Sequence, residues 1–598
     1  MTKALLKRTT LLCGTTLTCA ALLTSPALAQ NANGGDIDLI QKQIRDLQSQ
    51  LNRLKHDLAT REERMRAAQQ QAEQARAQAQ QAAEDAQRAA QGIPLSRPPG
   101  LAPVFAPAAP GQPFVQLGPQ APSNVPPNLQ ETLPGPHAYY TAGGQAAGTT
   151  PPMGTFRLGG VTVTLGGFLA AEDVWRQRNE VADIGSNYNT AIPYPISPLY
   201  HENEFRGSAR QSRISLLMQG DPSPSIHLAG YFETDFLGTG PTSNSNESNS
   251  YTLRLRQAYM TADQNDWGLH FLGGQAWSLL TLNRVGITPR QENIPLTIDA
   301  QYVVGFTWAR QWQLRLDKDL LDHRLWVGFS LEEPQTVFYT GPNGALPTGF
   351  GTVNDENPGG SLLNPNANYS DDILPDFVAK IAFDPGWGHY ELDGVLRAMH
   401  DRVSFVGAGS NNTALGWGGG GGFILPVVPA KLDFQGSALA GYGIGRYGSA
   451  QLPDATIGPN GAPQPLPEVM ALTGLVGHPS PLFDIYAYAG IEQEWARYFN
   501  VGTRGFGYGS PLYDNAGCET ELAAASTCVA NTSGVAMGTL GFWWRFLKGS
   551  FGTMQFGVQY SYLRRNIFPG AGAVRGTLAS PSTNENMVLT SFRYLPFQ

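Results

Sequence analysis

The stretch "TMQFGVQYSYLRR" (residues 553–565) alternates between apolar and polar positions. Met554, Phe556, Val558, Tyr560 and Tyr562 occupy every second position, and polar or small residues occupy most of the others. Because successive side chains of a strand point to opposite faces, the segment has one apolar face and one polar face. It predicts a strand whose apolar face is covered by something other than water.

The same period of two dominates from about Thr155 to the end of the chain. Tyr259 is expected on the apolar face of its strand, beside Leu253 and Leu255, with Arg254 and Arg256 on the polar face. A soluble sandwich also alternates, but its connections are short at both ends. The clearest alternating segments are residues 226–236, 253–259, 311–316, 325–332 and 553–565.

Short and long connections follow one another through this region. The long ones are rich in Gly, Asn and Pro, for example Gln335–Pro375 and Phe499–Gly538. The short turns are residues 221–225, 263–268, 318–323, 384–389, 427–431, 478–483 and 548–553. Seven hairpins with one further strand at each end make sixteen strands, and short turns on one rim only are typical of bacterial outer-membrane barrels. The sequence therefore predicts an all-β fold, a 16-stranded antiparallel transmembrane β-barrel, over residues 153–598, whose apolar face touches outer-membrane lipid.

The N-terminal part has a different period. Apolar residues recur at steps of three and four from Ile37 to Ala89, which predicts an α-helical coiled coil within residues 30–91 and hence self-association. A single solvated helix remains the alternative for its Ala/Gln-rich half, and the heptads do not select an oligomer number. Residues 92–152 are a Pro-rich linker, and residues 1–29 form a signal peptide that ends at Ala27-Leu28-Ala29.

Composition narrows the classes of protein. Only 15% of residues are charged, and removal of the signal peptide takes the formal charge from −8 to about −11, so nucleic acid is not an expected partner. Two of the four cysteines leave with the signal peptide. The remaining two, Cys518 and Cys528, are spaced to close a short loop in an exported protein, and a disulfide is expected.

Candidate functional residues come from the polar faces of the strands. If the barrel encloses water, these side chains line a pore in which acidic and basic walls select solutes by charge. The alternative is that they pair with one another, as polar residues in any wet lumen do. Arg254 and Arg256 are the stronger candidates, because two guanidinium groups on one strand face repel unless an acid or a solute anion lies between them. The strand residues placed inward are Arg213, Glu233, Asp235, Arg254, Arg256, Arg315, Glu332, Glu391, Asp393 and Arg397.

The connection between the fifth and sixth strands, residues 281–305, occupies the third long-loop position. If it folds into the barrel, Arg284, Arg290, Glu292 and Asp299 narrow the pore, whereas an outward-facing loop leaves them at the surface. No catalytic constellation is visible: the nine histidines lack metal-ligand spacing and no hydrolase-type serine motif occurs. The sequence thus predicts no enzyme, no cofactor and no metal.

Several short motifs on different strands resemble the DcaP-type trimeric porins of Gram-negative bacteria. They are "ARQSRISL" (209–216), "FETDFLG" (232–238), "LRLRQAYM" (253–260), "GGQAWSLL" (273–280) and "YGIGRY" (442–447). The resemblance covers the barrel and, in layout, the coiled coil. It implies a homotrimer in the outer membrane, a periplasmic N-terminal segment, and passive diffusion of small, often anionic solutes such as dicarboxylates.

The leading interpretation is an outer-membrane diffusion porin for small hydrophilic solutes with an anion preference. A second interpretation is a structural tether, in which the rod reaches the peptidoglycan and the barrel is an anchor. An energy-coupled transporter is disfavoured because no plug domain is recognisable before the barrel.

Overall fold

The computed structural model describes residues 154–238, 251–299, 302–359 and 368–597, together with the single helical residue Gln48. The signal peptide (residues 1–29), the coiled coil (30–91, apart from Gln48) and the linker (92–152) predicted from the sequence lie outside the described residues. Within the described residues, no helix is both long enough and apolar enough to cross a bilayer.

Sixteen long strands form one closed antiparallel sheet. In chain order they are β1 (Val161–Arg176), β2 (Arg213–Ser223), β3 (Ile226–Gly238), β4 (Thr252–Gln264), β5 (Leu269–Trp277), β6 (Arg310–Leu320), β7 (Leu325–Glu332), β8 (Asp376–Phe383), β9 (His389–Phe405), β10 (Ala408–Val428), β11 (Leu432–Tyr442), β12 (Pro467–Ser480), β13 (Phe483–Glu494), β14 (Thr532–Gly549), β15 (Gly552–Ile567) and β16 (Ser582–Leu595).

Closure occurs between the first and last of these strands. Each strand pairs with its chain neighbours, and β1 pairs with β16 from Leu169↔Tyr594 to Arg176↔Met587. The short strand Thr155–Leu158 pairs with the start of β1 and continues the wall beyond Tyr594. A closed sheet leaves no edge with unpaired backbone groups, which is the condition for crossing hydrocarbon. The predicted fold class and strand number are confirmed.

All seven predicted turns join neighbouring strands, and all lie on one rim. One predicted loop is longer than the real one: β14 begins at Thr532, so the connection after β13 ends at Asn531 and not at Gly538. Smaller elements lie beside the barrel strands or in the long connections. They are the strands Glu204–Ser208, Phe338–Tyr339, Thr352–Asn354, Glu356–Pro358, Asn368–Ser370, Ala455–Ile457, Pro463–Pro465, Arg497–Val501, Arg504–Tyr508, Gly570–Ala571 and Leu578–Ala579, and the 3-10 turns Pro198–His201, Asn265–Trp267, Gly445–Tyr447 and Ala525–Thr527.

The two faces of β15 show how the strands are oriented. Tyr560 is 47% exposed and faces outward, whereas its neighbour Ser561 is completely buried and faces inward. The apolar face therefore covers the outside of the barrel, and the polar face lines its inside.

The inside of the barrel contains an apolar core on one side. The described residues of the connection between β5 and β6 (278–299 and 302–309, hereafter the inner loop) fold into the barrel, where Ile298 and Val304 are completely buried. Parts of the connections after β1 and after β11 join it. Wall side chains including Tyr486, Trp543 and Leu563 pack against these loops. The inner loop thus fills part of the space that sixteen strands alone would enclose.

Candidate functional site

Five charged side chains on β2, β3 and β4 form a ladder on the inner wall. Arg254 Nε and Nη2 donate to the two carboxylate oxygens of Asp235 at 3.0 and 2.7 Å. Arg256 donates to Asp235 Oδ2 at 3.0 Å and to Glu233 Oε1 at 2.5 Å. Arg213 Nη1 lies 3.7 Å from Glu233 Oε2. An acid does lie between the two arginines of β4, and it is Asp235.

The register of these strands creates the ladder. Arg213 pairs with Asp235 across β2 and β3, and Asp235 pairs with Arg254 across β3 and β4. The β3–β4 register shifts between Thr234↔Leu255 and Glu233↔Gln257, so Arg256 is the extra residue of a β-bulge in the strand ladder. Such a bulge reverses the inside-outside alternation beyond it. Tyr259 is consequently buried on the inner face, and the expectation that it faces outward with Leu253 is wrong.

Two further charged side chains lie near the ladder. Arg310, the first residue of β6, lies within electrostatic range of Arg254 and Arg256, and its guanidinium sits 4.6 Å from the centre of the Trp277 ring. Asp299 of the inner loop is also within electrostatic range of Arg254. Burial, reinforced by the carboxylate of Glu172, raises the pKa of Asp299 well above its ordinary value and favours its neutral form. Four arginines, Arg213, Arg254, Arg256 and Arg310, thus lie close to the carboxylates of Glu233 and Asp235.

Accessibility separates Arg254 from the rest of the ladder. Its side chain is 24% exposed, whereas those of Arg213, Glu233, Asp235 and Arg256 are at most 2% exposed. The buried members hold their neighbours in place. Arg254 is the only member of the ladder with an appreciably exposed side chain.

The inner loop brings its candidate residues to different places. Residues 282–293 form a hairpin closed by Asn283 and Glu292. Arg290 Nη1 donates to the Tyr259 hydroxyl at 3.1 Å, next to the ladder strands, whereas Glu292 is buried. Arg284 lines a cavity of about 70 Å³ against β11–β13, with Asp433 and His478. Arg290 is therefore near the ladder, whereas Arg284 lies against the part of the barrel wall formed by β11–β13.

Other inward charges pair within the wall or bind the inner loop. Arg315 donates to both oxygens of Asp317 at 3.0 and 2.8 Å. Glu332 accepts from the Leu279 amide of the inner loop at 2.9 Å. Glu391 accepts from the Asn283 amide at 3.0 Å.

Sequence reasoning missed several partners of these anchors. Lys380 binds Glu391 at 2.7 Å, and Arg397 binds Asp376 at 3.0 Å and Asp454 at 2.6 Å. The inward parity of β8 would have placed Lys380 on the inner wall, but Asp454 lies in a loop that has no period.

The loop after β13 carries the expected disulfide. Cys518 and Cys528 are bonded, which confirms the pairing predicted from their spacing. Cys518 is completely buried and packs with Tyr194, Ala530 and Ile567. Among the described residues, no group of three or more His, Cys, Asp or Glu side chains is arranged to hold a metal ion.

The architecture is a closed antiparallel β-barrel of sixteen long strands whose inner loop packs inside it. Among solved structures it is similar to the outer membrane channel DcaP of Acinetobacter baumannii, with a TM-score of 0.50 and 16% sequence identity over 74% of this chain and 99% of that chain. At the level of the fold, this confirms the DcaP-type resemblance predicted from the motifs.

Two further similarities are more distant. The anion-selective porin from Comamonas acidovorans has a TM-score of 0.38 and 10% identity over 73% of this chain and 99% of that chain. OmpF of Salmonella typhi, solved in complex with daunomycin, has a TM-score of 0.39 and 7% identity over 74% and 99%. No protein-family model and no curated protein sequence matches the chain.

Proposed function

We propose that the chain is an outer-membrane diffusion porin that passes small hydrophilic solutes and prefers anions of the dicarboxylate type. It is not proposed to be an enzyme. The observation that carries the proposal is the partly exposed Arg254 within a wall cluster of four arginines and two carboxylates. Fixed charges on the wall of a narrow pore attract ions of opposite charge and repel ions of like charge. An arginine-rich cluster there favours the entry of anions.

Planar-bilayer conductance tests the proposal. The purified protein is expected to open channels whose reversal potential in a KCl gradient has the sign of anion preference. Arg254→Gln should lower the anion-to-cation permeability ratio by about twofold, because one charge about 10 Å from the ion path in water contributes roughly 0.4 kcal/mol. Arg402→Gln is the control, since Arg402 is exposed on the outside of β9 and binds Asn411. Silent membranes would reject the channel, and equal selectivity of the three proteins would reject the role of Arg254.

We also propose that three copies assemble through the outer face of β1 and β16. Asp173 faces outward on β1 and accepts a hydrogen bond from the Thr590 hydroxyl at 2.6 Å. Thr590 lies five residues from the short-turn end of β16 at Leu595, at roughly mid-membrane height. A carboxylate there is costly against lipid and is tolerated when a partner chain covers it. Asp173→Leu should change the trimer's dissociation temperature on native gels, and an unchanged value would contradict this contact.

A further inference from the structure

A broad groove runs over the outer surface of the barrel on the side of β8–β15. It encloses about 1210 Å³, more than the roughly 300–1,000 Å³ of a usual small-molecule pocket. Most of its floor consists of small residues on five neighbouring strands, with Ile491 of β13 as a larger side chain among them. These include Gly419 on β10, Ala438 on β11, Ala471 on β12, Ala489 on β13 and Gly538 on β14.

Larger side chains border this floor. Ile381 and Leu392 form one side, Phe423 and Phe434 lie towards the short-turn end, and Tyr562 lies on the far side. The groove is therefore a depression in an apolar surface, with rims that can hold acyl chains in place. Small floor residues let a chain approach the sheet backbone and gain close contacts along its length.

One charged residue lies on the rim. Arg564 faces outward on β15, three residues from the long-loop end of the strand at Ile567. Its Nε donates to Asn566 Oδ1 at 3.1 Å. On the outward faces of β10–β15, as far as the structure describes them, it is the one ionisable side chain apart from tyrosines. An arginine is tolerated on the lipid face near the bilayer interface, where phosphates lie.

We propose that this groove is a specific binding site for a phosphate-bearing lipid with several acyl chains, drawn from the membrane leaflet on the long-loop side. The acyl chains occupy the depression over Gly419, Ala489 and Gly538. The Arg564 guanidinium binds a phosphate oxygen pair of the head group, which suits the two-pronged geometry of arginine. The proposed subunit contact on β1 and β16 lies elsewhere on the barrel, which leaves this face to the lipid.

Two glycines allow the groove to be filled without disturbing the wall. A Cβ added at Gly538 would meet no atom within 4 Å, and one at Gly419 would meet only the Asp393 carbonyl oxygen at 3.9 Å. Both glycines have ordinary strand conformations. Gly538→Phe and Gly419→Leu therefore place bulk inside the groove while leaving strand pairing intact.

Native mass spectrometry of the full-length protein in mild detergent tests the proposal. The probes are bis-phosphorylated, hexa-acylated lipid A and, for comparison, phosphatidylglycerol with one phosphate and two chains. We expect wild type to retain lipid A in preference to phosphatidylglycerol. Gly538→Phe, Gly419→Leu and Arg564→Gln should each weaken lipid A binding at least fivefold.

Arg402→Gln is the matched control, because Arg402 is also an exposed outward arginine bound to an asparagine, but it does not line the groove. It should bind lipid A as wild type does. Equal lipid A binding by all variants would overturn the proposal. So would a change of oligomer mass, with lipid binding intact, in Gly538→Phe, since that would identify the groove as a contact with a second copy. If Gly538→Phe or Gly419→Leu fails to fold, Arg564→Gln still tests the proposal, because it adds no bulk to the groove. None of these readouts depends on conductance.

Discussion

The carboxylate of Asp235 accepts two hydrogen bonds from the guanidinium of Arg254, one to each oxygen. The same carboxylate also accepts from Arg256. This single acid therefore offsets part of the charge of two arginines and limits how much positive potential the wall presents.

Asp235→Asn is expected to increase anion preference. Loss of one fixed negative charge should raise the chloride-to-potassium permeability ratio by about twofold, for the same electrostatic reason as the Arg254 change but with opposite sign. The barrel should also lose about 3–5 kcal/mol of stability, because the buried Arg256 loses one of its partners. Reversal potentials and urea midpoints measure the two effects. Asp266→Asn, in an exposed short turn, is the control, and a permeability ratio that did not move would contradict the account.

Trp543→Phe is expected to loosen the inner loop. Trp543 Nε1 donates to the Leu296 carbonyl at 2.7 Å, and its ring is completely buried. Its loss leaves a buried carbonyl without that donor, at a cost of about 1–3 kcal/mol. Single-channel recordings should show larger current fluctuations. Trp544→Phe is the matched control, because Trp544 is 49% exposed on the outer face. Equal current fluctuations in both variants would show that the hydrogen bond from Trp543 does not hold the inner loop.

Removal of the disulfide should affect the loop after β13 and leave conduction unchanged. Opening this short covalent ring costs roughly 2–3 kcal/mol in the chain-entropy account. The Cys518→Ser, Cys528→Ser double variant should be cleaved faster by protease within residues 509–531. Peptide mapping locates the cuts. A changed single-channel conductance would show that this loop controls the pore.

Glu180 provides a pH-dependent prediction. It lies after β1, and burial raises its pKa to about 6 despite Arg176 at 3.7 Å. A carboxyl with a raised folded pKa binds its proton more tightly in the folded state, so stability falls as pH rises from about 4.5 to 6. The loss is on the order of 2 kcal/mol. Urea midpoints measured from pH 4 to 8 report how stability depends on pH. Glu180→Gln should remove the fall in stability between about pH 4.5 and 6, and an unchanged pH dependence would contradict the role of Glu180.

The outer and inner faces of the strands were predictable from the sequence alone. Alternation at Tyr560 and Ser561 is a local property of extended backbone, and the short turns at residues 221–225 and 548–553 mark where it reverses direction. Counting turns then yields the strand number, because each one joins two antiparallel neighbours.

The error at Tyr259 shows the limit of that reasoning. A bulge inserts one residue into one strand, and the period on either side looks intact. Only the register of β3 against β4 reveals that Arg256 is the extra residue of a bulge. The same applies to Asp454 and Asp299, whose loop positions carry no period from which a direction could be read.

The sequence by itself determined the barrel, its apolar outer face and the set of inward charges, because these follow from the two-residue period that a pleated strand imposes. Tertiary structure decided which charges pair with one another, and that Arg254 stays partly exposed although it is paired with Asp235. It also decided that the inner loop fills part of the bore and that small residues on five strands line up as one groove. The physical reason is that these outcomes depend on register and loop packing between residues far apart in the chain, and no local pattern encodes them.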